Sequence, residues 1–239
     1  MDCPYWERLQ YVGDTRIQAL VSYLVSGDDR LARNSIQQFH QSLTYDGLTF
    51  SRYRSEQPQF IRNDALVCVL MVHDFWMYHP DDAFVRPFLP GMQRVIEHFL
   101  RYKTPDGIIG LQAYWDFLDY SYSSKKISDE SISKGLAANS LFYALTLRAA
   151  AEVLANFGET ARAAAYRKQA QELCARVQTL CWSPARNLYA DSPDQKHISM
   201  HTNVLAVLAD LVTGPDATEL LRRSMTESGL TRTTLYFDF

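Results

Sequence analysis

Cysteine is scarce: the chain has only Cys3, Cys68, Cys174 and Cys181, and no two of them form a Cys-x-x-Cys pair. A disulfide framework and a thiolate metal site are thereby excluded as organising devices. Cys174 and Cys181 fall two turns apart in a helical pattern, about 10 Å by rise and beyond disulfide reach, so all four are read as thiols. No apolar run reaches about 18 residues and no basic segment followed by an apolar one opens the chain, so neither a membrane span nor a signal peptide is expected. Excess charge is lacking as well: a formal net charge of -3 gives no electrostatic reason for nucleic acid or a membrane as partner. Gly-x-Ser-x-Gly, Gly-x-x-x-x-Gly-Lys and His-Glu-x-x-His are all missing, and no metal or cofactor is implied.

What is present is core-forming material, with 47% hydrophobic and 21% charged residues in 239 positions, enough for one large or two small domains. The apolar spacing is helical almost throughout. A helix from Asp14 to Ser26 carries Ile17, Leu20, Val21 and Leu24, and Gly27 stops it. Asp28 caps a second helix carrying Leu31, Ile36, Phe39 and Leu43. Residues 63–78 are apolar on nearly all sides, as suits a buried inner helix. Asp81 or Asp82 caps a fourth helix through Leu100, in which Pro87 and Pro90 predict a kink or a late start. Helices from Ser133 to Phe157 and Glu159 to Cys181 meet at Gly158, and those from Ser199 to Val212 and Asp216 to Ser228 meet at Gly214-Pro215.

Eight helices therefore read as four hairpins with short turns. Long connections at 44–62, 103–132 and 183–198 separate the hairpins, and structureless loops of that length in a domain are usually functional. His73 and Asp74, inside the apolar third helix, are read as internal hydrogen bonding.

The densest chemistry lies at residues 1–14, where Asp2, Glu7 and Asp14 share a segment with Trp6, Arg8, Tyr11 and Gly13. Carboxylates this close repel when all are ionised, which favours a protonated member suited to general acid work. A solvated helix entry stabilised by the helix dipole is the other reading of such a cluster.

The order Asp2-Cys3-Pro4, Glu7-Arg8-Leu9, Gly13-Asp14 resembles the Asp-Cys-Pro…Glu-Arg-Leu…Gly-Asp motif of the α-L-rhamnosidases of glycoside hydrolase family 78. Tyr11 stands where that family usually has tryptophan, and the stretch before the glutamate is one residue shorter. The resemblance implies an all-α, (α/α)6 six-hairpin toroid, and here an incomplete one, with about eight helices of twelve. It implies Glu7 as general acid, Asp2 and Asp14 as carboxylates that position substrate or tune Glu7, and Arg8 and Tyr11 beside the sugar. The segment Trp115-Asp116-Phe117-Leu118-Asp119 resembles the Trp/Asp stretch that lines the sugar pocket of six-hairpin glycosidases, implying contacts from Trp115, Asp116 and Asp119. A packed aromatic cluster with two capping aspartates is the alternative. Arg54 in the first long loop and His201 at a helix start are further candidate contacts, against a solvated arginine and a capping or core histidine.

Hydrolysis with inversion is the implied reaction, on a rhamnose-containing oligosaccharide or glycoside. The family's general base is a glutamate from a later part of the barrel, and no match for it occurs in this chain. The 239 residues are accordingly expected to be part of a catalytic domain cut at both ends, weakly active or inactive alone, with self-association through exposed apolar helix faces. Another six-hairpin carbohydrate enzyme, or a helical scaffold that binds a protein partner, stays open as an alternative.

Overall fold

The computed structural model describes Tyr5 and residues 8–122 and 134–238. Its contacts divide the chain into two units, the first formed by Met1–His98 with Ala149–Ala163 and the second by Phe99–Arg148 with Ala164–Phe239.

In the first unit, α1 (Val12–Val25) starts after an extended Tyr11 and ends where Gly27 takes a φ of +68°. Its buried residues are Val12, Gly13, Thr15 and Tyr23, whereas Val21 and Leu24 are exposed. The expected apolar stripe is thus not the one that packs. The stripe running through Val12, Thr15 and Tyr23 faces α3 (Arg62–Tyr78), where Tyr23 sets its ring edge against Phe75 at 6.5 Å. Arg16 on the same side donates to Asp74 at 2.7 Å. Helix α2 (Arg30–Gln41) begins two residues after Asp28, whose Oδ1 accepts the Arg30 N–H at 3.0 Å. Leu31 is 79% exposed, because five residues turn it about 140° away from Ile36 at 100° per residue. Ala32, Ser35, Ile36 and Phe39 form the buried face instead.

Helix α3 is buried along most of its length, as expected, through Ala65, Leu66, Val69, Leu70, Met71 and Phe75. Its His73 Nε2 lies 2.9 Å from Glu152. Asp81 accepts the Phe84 N–H at 3.0 Å and opens the short α4 (Asp82–Val85). Pro87 converts the next residues, Arg86–Phe88, into a 3-10 turn before α5 (Leu89–Leu100) continues, since proline lacks the N–H an α-helix needs. Arg33 ties these pieces together: it donates to Asp29 at 2.7 Å and to Asp81 at 2.6 Å, and its guanidinium lies 4.7 Å from the rings of Phe75 and Phe84.

Helices α6 (Ala137–Asn156) and α7 (Thr160–Cys181) are joined at Gly158; residues 137–148 and 164–181 belong to the second unit. Two residues on each side of the following turn pair as a small antiparallel ladder, β1 (Trp182–Ser183) with β2 (Leu188–Tyr189), where sequence reading gave only a loop. In α8 (Met200–Leu208) the Ser199 hydroxyl accepts the Thr202 N–H at 3.3 Å. Thr213 and Pro215 open α9 (Gly214–Thr226), and α10 (Leu235–Asp238) is one turn long. Among the described residues no helix is long and apolar enough to cross a membrane.

Candidate active site

In the first unit, the end of the N-terminal motif is clamped by residues 51–53. Val12 N–H donates to the Ser51 carbonyl at 3.0 Å, Tyr53 N–H to the Gln10 carbonyl at 3.3 Å, and Gln10 Nε2 to the Tyr53 carbonyl at 3.0 Å. Arg52 Nη1 donates to the Tyr11 hydroxyl at 3.2 Å, with the guanidinium 5.8 Å from the Tyr11 ring centre. Asp14 sits in the first turn of α1, where the positive end of the helix dipole favours an anion. Arg8 is exposed, with a φ of +53° and its Nε donating to the Tyr5 carbonyl at 3.3 Å. Arg54 is exposed. Asp2 and Glu7 lie outside the described residues.

Beside this segment the structure adds a group that the sequence reading passed over. Arg62, Asn63 and Asp64 open α3 and are all buried. Burial pushes the Asp64 carboxyl well above the usual carboxylate range, the Ser51 hydroxyl bonded to it pulls the other way, and the charge of Asp14 adds to the rise. The buried environment therefore favours the neutral, hydrogen-bonding form of Asp64 next to an acidic motif. Its signal in the sequence is a charged triplet at the head of an otherwise apolar helix.

In the second unit, the loop after α5 carries Trp115, 51% exposed, with its ring 5.3 Å from Phe117. Phe117 contacts Tyr120 at 5.2 Å and Tyr236 at 5.9 Å, extending one aromatic cluster. Asp116 accepts from Asn139 Nδ2 at 3.2 Å. Asp119 and His201 are placed differently, because the side chains of both are fully shielded from solvent and bonded to one another at 2.7 Å. Asp119 also accepts from Tyr120 N–H at 2.7 Å, Ser121 Oγ at 3.0 Å, Thr234 N–H at 2.7 Å and the Thr234 hydroxyl. Burial works to raise its pKa, but the bonds from Thr234, His201 and Ser121 outweigh it and hold the carboxyl below its ordinary value. The His201 ring lies 5.2 Å from Tyr122 and 4.7 Å from Phe237.

The arrangement thus offers an exposed indole beside a carboxylate in one unit, and in the other the clamped end of an acidic segment with a buried aspartic acid whose pKa is raised. Among the described residues no group of three or more His, Cys, Asp or Glu side chains is placed to hold a metal ion.

The family model of the bacterial alpha-L-rhamnosidase 6 hairpin glycosidase domain matches residues 1–233. The chain belongs to this family. Among solved structures, the rhamnosidase-domain chain is similar to a GH78 family rhamnosidase of Bacillus sp. GL1, with 22% identity and a TM-score of 0.84 over 98% of this chain and 24% of that one. It is also similar to a rhamnosidase from Klebsiella oxytoca with rhamnose bound, with 21% identity and a TM-score of 0.84 over 97% of this chain and 44% of that one. The chain therefore spans from about a quarter to less than half of these proteins. No curated protein matches it. The eight helices of nine residues or more among the described residues make up four hairpins of a six-hairpin fold. The all-α class and the incomplete (α/α)6 toroid read from the sequence accordingly stand.

Proposed function

We propose that this domain serves an α-L-rhamnosidase that removes terminal α-L-rhamnose with inversion at the anomeric carbon. The observation that carries the reading is the family match over residues 1–233, together with an acidic motif in the family's order at its start. Glu7 is the general acid that protonates the glycosidic oxygen, while a carboxylate on the opposite face of the sugar activates water. Asp2 and Asp14 place negative charge near Glu7 and favour its protonated form. Asp14 lies in the first turn of α1, where the helix dipole favours negative charge.

Arg8, Tyr11 and Arg54 supply donors to sugar hydroxyls. Trp115 offers its face to the C–H side of the ring, and Asp116 accepts from hydroxyls. Asp119 and His201, closed against one another, act by holding the loop that presents Trp115 and Asp116. The resemblance to a protein with rhamnose bound supports this choice of sugar.

The test is hydrolysis of an aryl α-L-rhamnoside by the protein that carries this domain, with the first-formed anomer detected by NMR. Glu7→Gln is expected to lower kcat by about 10²–10⁴, the range for loss of general acid catalysis, and the wild type to release β-L-rhamnose first. Wild-type turnover by Glu7→Gln would overturn the acid, and an α-first product would overturn inversion.

A further inference from the structure

A groove that none of the proposed site residues lines lies wholly in the second unit. Its volume is about 620 Å³, and its walls come from the end of α7, the β1–β2 turn, and the entry and face of α9. That volume falls in the range of small-molecule sites, about 300–1,000 Å³. Trp182 and Leu220 give it an apolar side, and Gln178, Asn187, Asp216, Glu219 and Arg223 give it a polar one.

The polar groups are planar and several are held in place. The Tyr189 hydroxyl bonds Gln178 Oε1, which directs the amide edge. Arg223 lies 3.3 Å from Glu219 and donates to the Arg186 carbonyl at 3.3 Å. Trp182 is fixed by an edge contact with Tyr189 at 4.9 Å. Asn187 projects from the turn at a φ of +50°.

Each feature narrows the ligand. Two carboxylates against one guanidinium on the lining disfavour an anion. A wholly apolar molecule would strand five polar side chains away from water. No group of metal-ligating side chains is found among the described residues. What fits is a neutral ring with one C–H face for the indole and vicinal hydroxyls at its edge, since a planar amide, carboxylate or guanidinium meets two neighbouring hydroxyls in a bidentate fashion.

We propose that the groove between α7 and α9 is a second saccharide-binding site, which takes a mono- or short oligosaccharide on Trp182. The proposal rests on the rhamnosidase reading only for the choice of sugar. Held near polymeric or decorated substrate by this groove, the protein would meet its scissile bond at a raised effective concentration.

The experiment uses the full protein carrying Glu7→Gln and titrates it calorimetrically with L-rhamnose and with a rhamnose-containing disaccharide. Two classes of site are expected, and adding Trp182→Ala is expected to weaken the second by about tenfold or more while leaving the first in place. Asp216→Ala, on an exposed side chain outside the Trp182–Tyr189 contact, is expected to weaken the same site and guards against misfolding of the tryptophan variant. In the otherwise wild-type protein, neither substitution is expected to change hydrolysis of a small aryl rhamnoside. A single class of site indifferent to both substitutions overturns the proposal, whatever the hydrolysis assay shows. So does a sugar-free change of oligomeric state on either substitution, which would make the groove a contact between copies of the chain. Unchanged hydrolysis by Glu7→Gln alone strikes the acid assignment and leaves the groove standing or falling on its own titration.

Discussion

Replacing Asp119 by alanine removes one acceptor from five donors at once: Tyr120 N–H, Ser121 Oγ, His201 Nε2, and the N–H and hydroxyl of Thr234. Not all five count equally. Tyr120 is 76% exposed, and its N–H and the half-buried Ser121 can recover bonds to water. His201 is fully buried, so its Nε2 loses its 2.7 Å partner and keeps the longer 3.5 Å contact with Ser121 Oγ, and Thr234 loses both of its bonds to the carboxylate. A buried donor deprived of its partner costs about 1–3 kcal/mol, and with His201 and Thr234 both affected we expect a total of about 3–5 kcal/mol. With an m-value of about 3 kcal/mol/M in urea for a chain of this size, the unfolding midpoint of the second unit falls by about 1–1.7 M.

Asp119→Asn is expected to cost nearly as much, because both carboxylate oxygens accept bonds and the amide nitrogen would face donors in either orientation. The assay is urea unfolding with amide exchange over residues 111–122 and 200–208 as the local readout. Glu172→Ala, an exposed helix position, is the control and should stay within about 0.5 kcal/mol of wild type. The pH dependence gives a second arm. The folded pKa of Asp119 is depressed, so its contribution is complete above the ordinary value of 3.8 and is lost as pH falls through the depressed value. Wild type and Asp119→Ala should converge in acid. An Asp119→Ala midpoint indistinguishable from the Glu172→Ala control at neutral pH would refute the account of this network.

Asp191 behaves in the opposite sense, since burial pushes its carboxyl up to about 6 despite bonds from Ser199 and Thr202. The folded state then holds a proton that the unfolded state has released, so this group's contribution decreases as pH rises from 3.8 to about 6. Asp191→Asn, which keeps Oδ1 for the two hydroxyls, should remove that slope when urea midpoints are compared across the interval. Gly47 has a φ of +98°, and a Cβ there would lie 2.4 Å from the Arg94 carbonyl and 3.0 Å from His98 Cβ. Gly47→Ala should cost the first unit about 2–4 kcal/mol. Gly27→Ala, at φ +68° with nothing within 4 Å, should cost about 1 kcal/mol by thermal unfolding.

Much of the fold was legible because helix periodicity and turn chemistry are local. Glycine at positions 27 and 158, and the Gly214-Pro215 pair, placed the short turns, and Pro87 marked the 3-10 break. The face of α1 was not legible. Both the Ile17–Leu24 side and the Val12–Tyr23 side carry apolar groups, and only contact with Phe75 and Asp74 of α3 selects one. The β1–β2 ladder was missed because two residues on each side are too few to show an alternation.

The sequence by itself determined the helical class, the order of the hairpins and the acidic motif of the family, because each of these is written in neighbouring residues. Tertiary structure alone decided which polar groups lose their water. It buried Asp64 beside Asp14 and so raised the pKa of its carboxyl, and it closed Asp119 onto His201 and Thr234 across more than 80 positions of chain. Burial sets the protonation of a carboxylate and the reach of an imidazole, and it comes from contacts between segments distant in the chain.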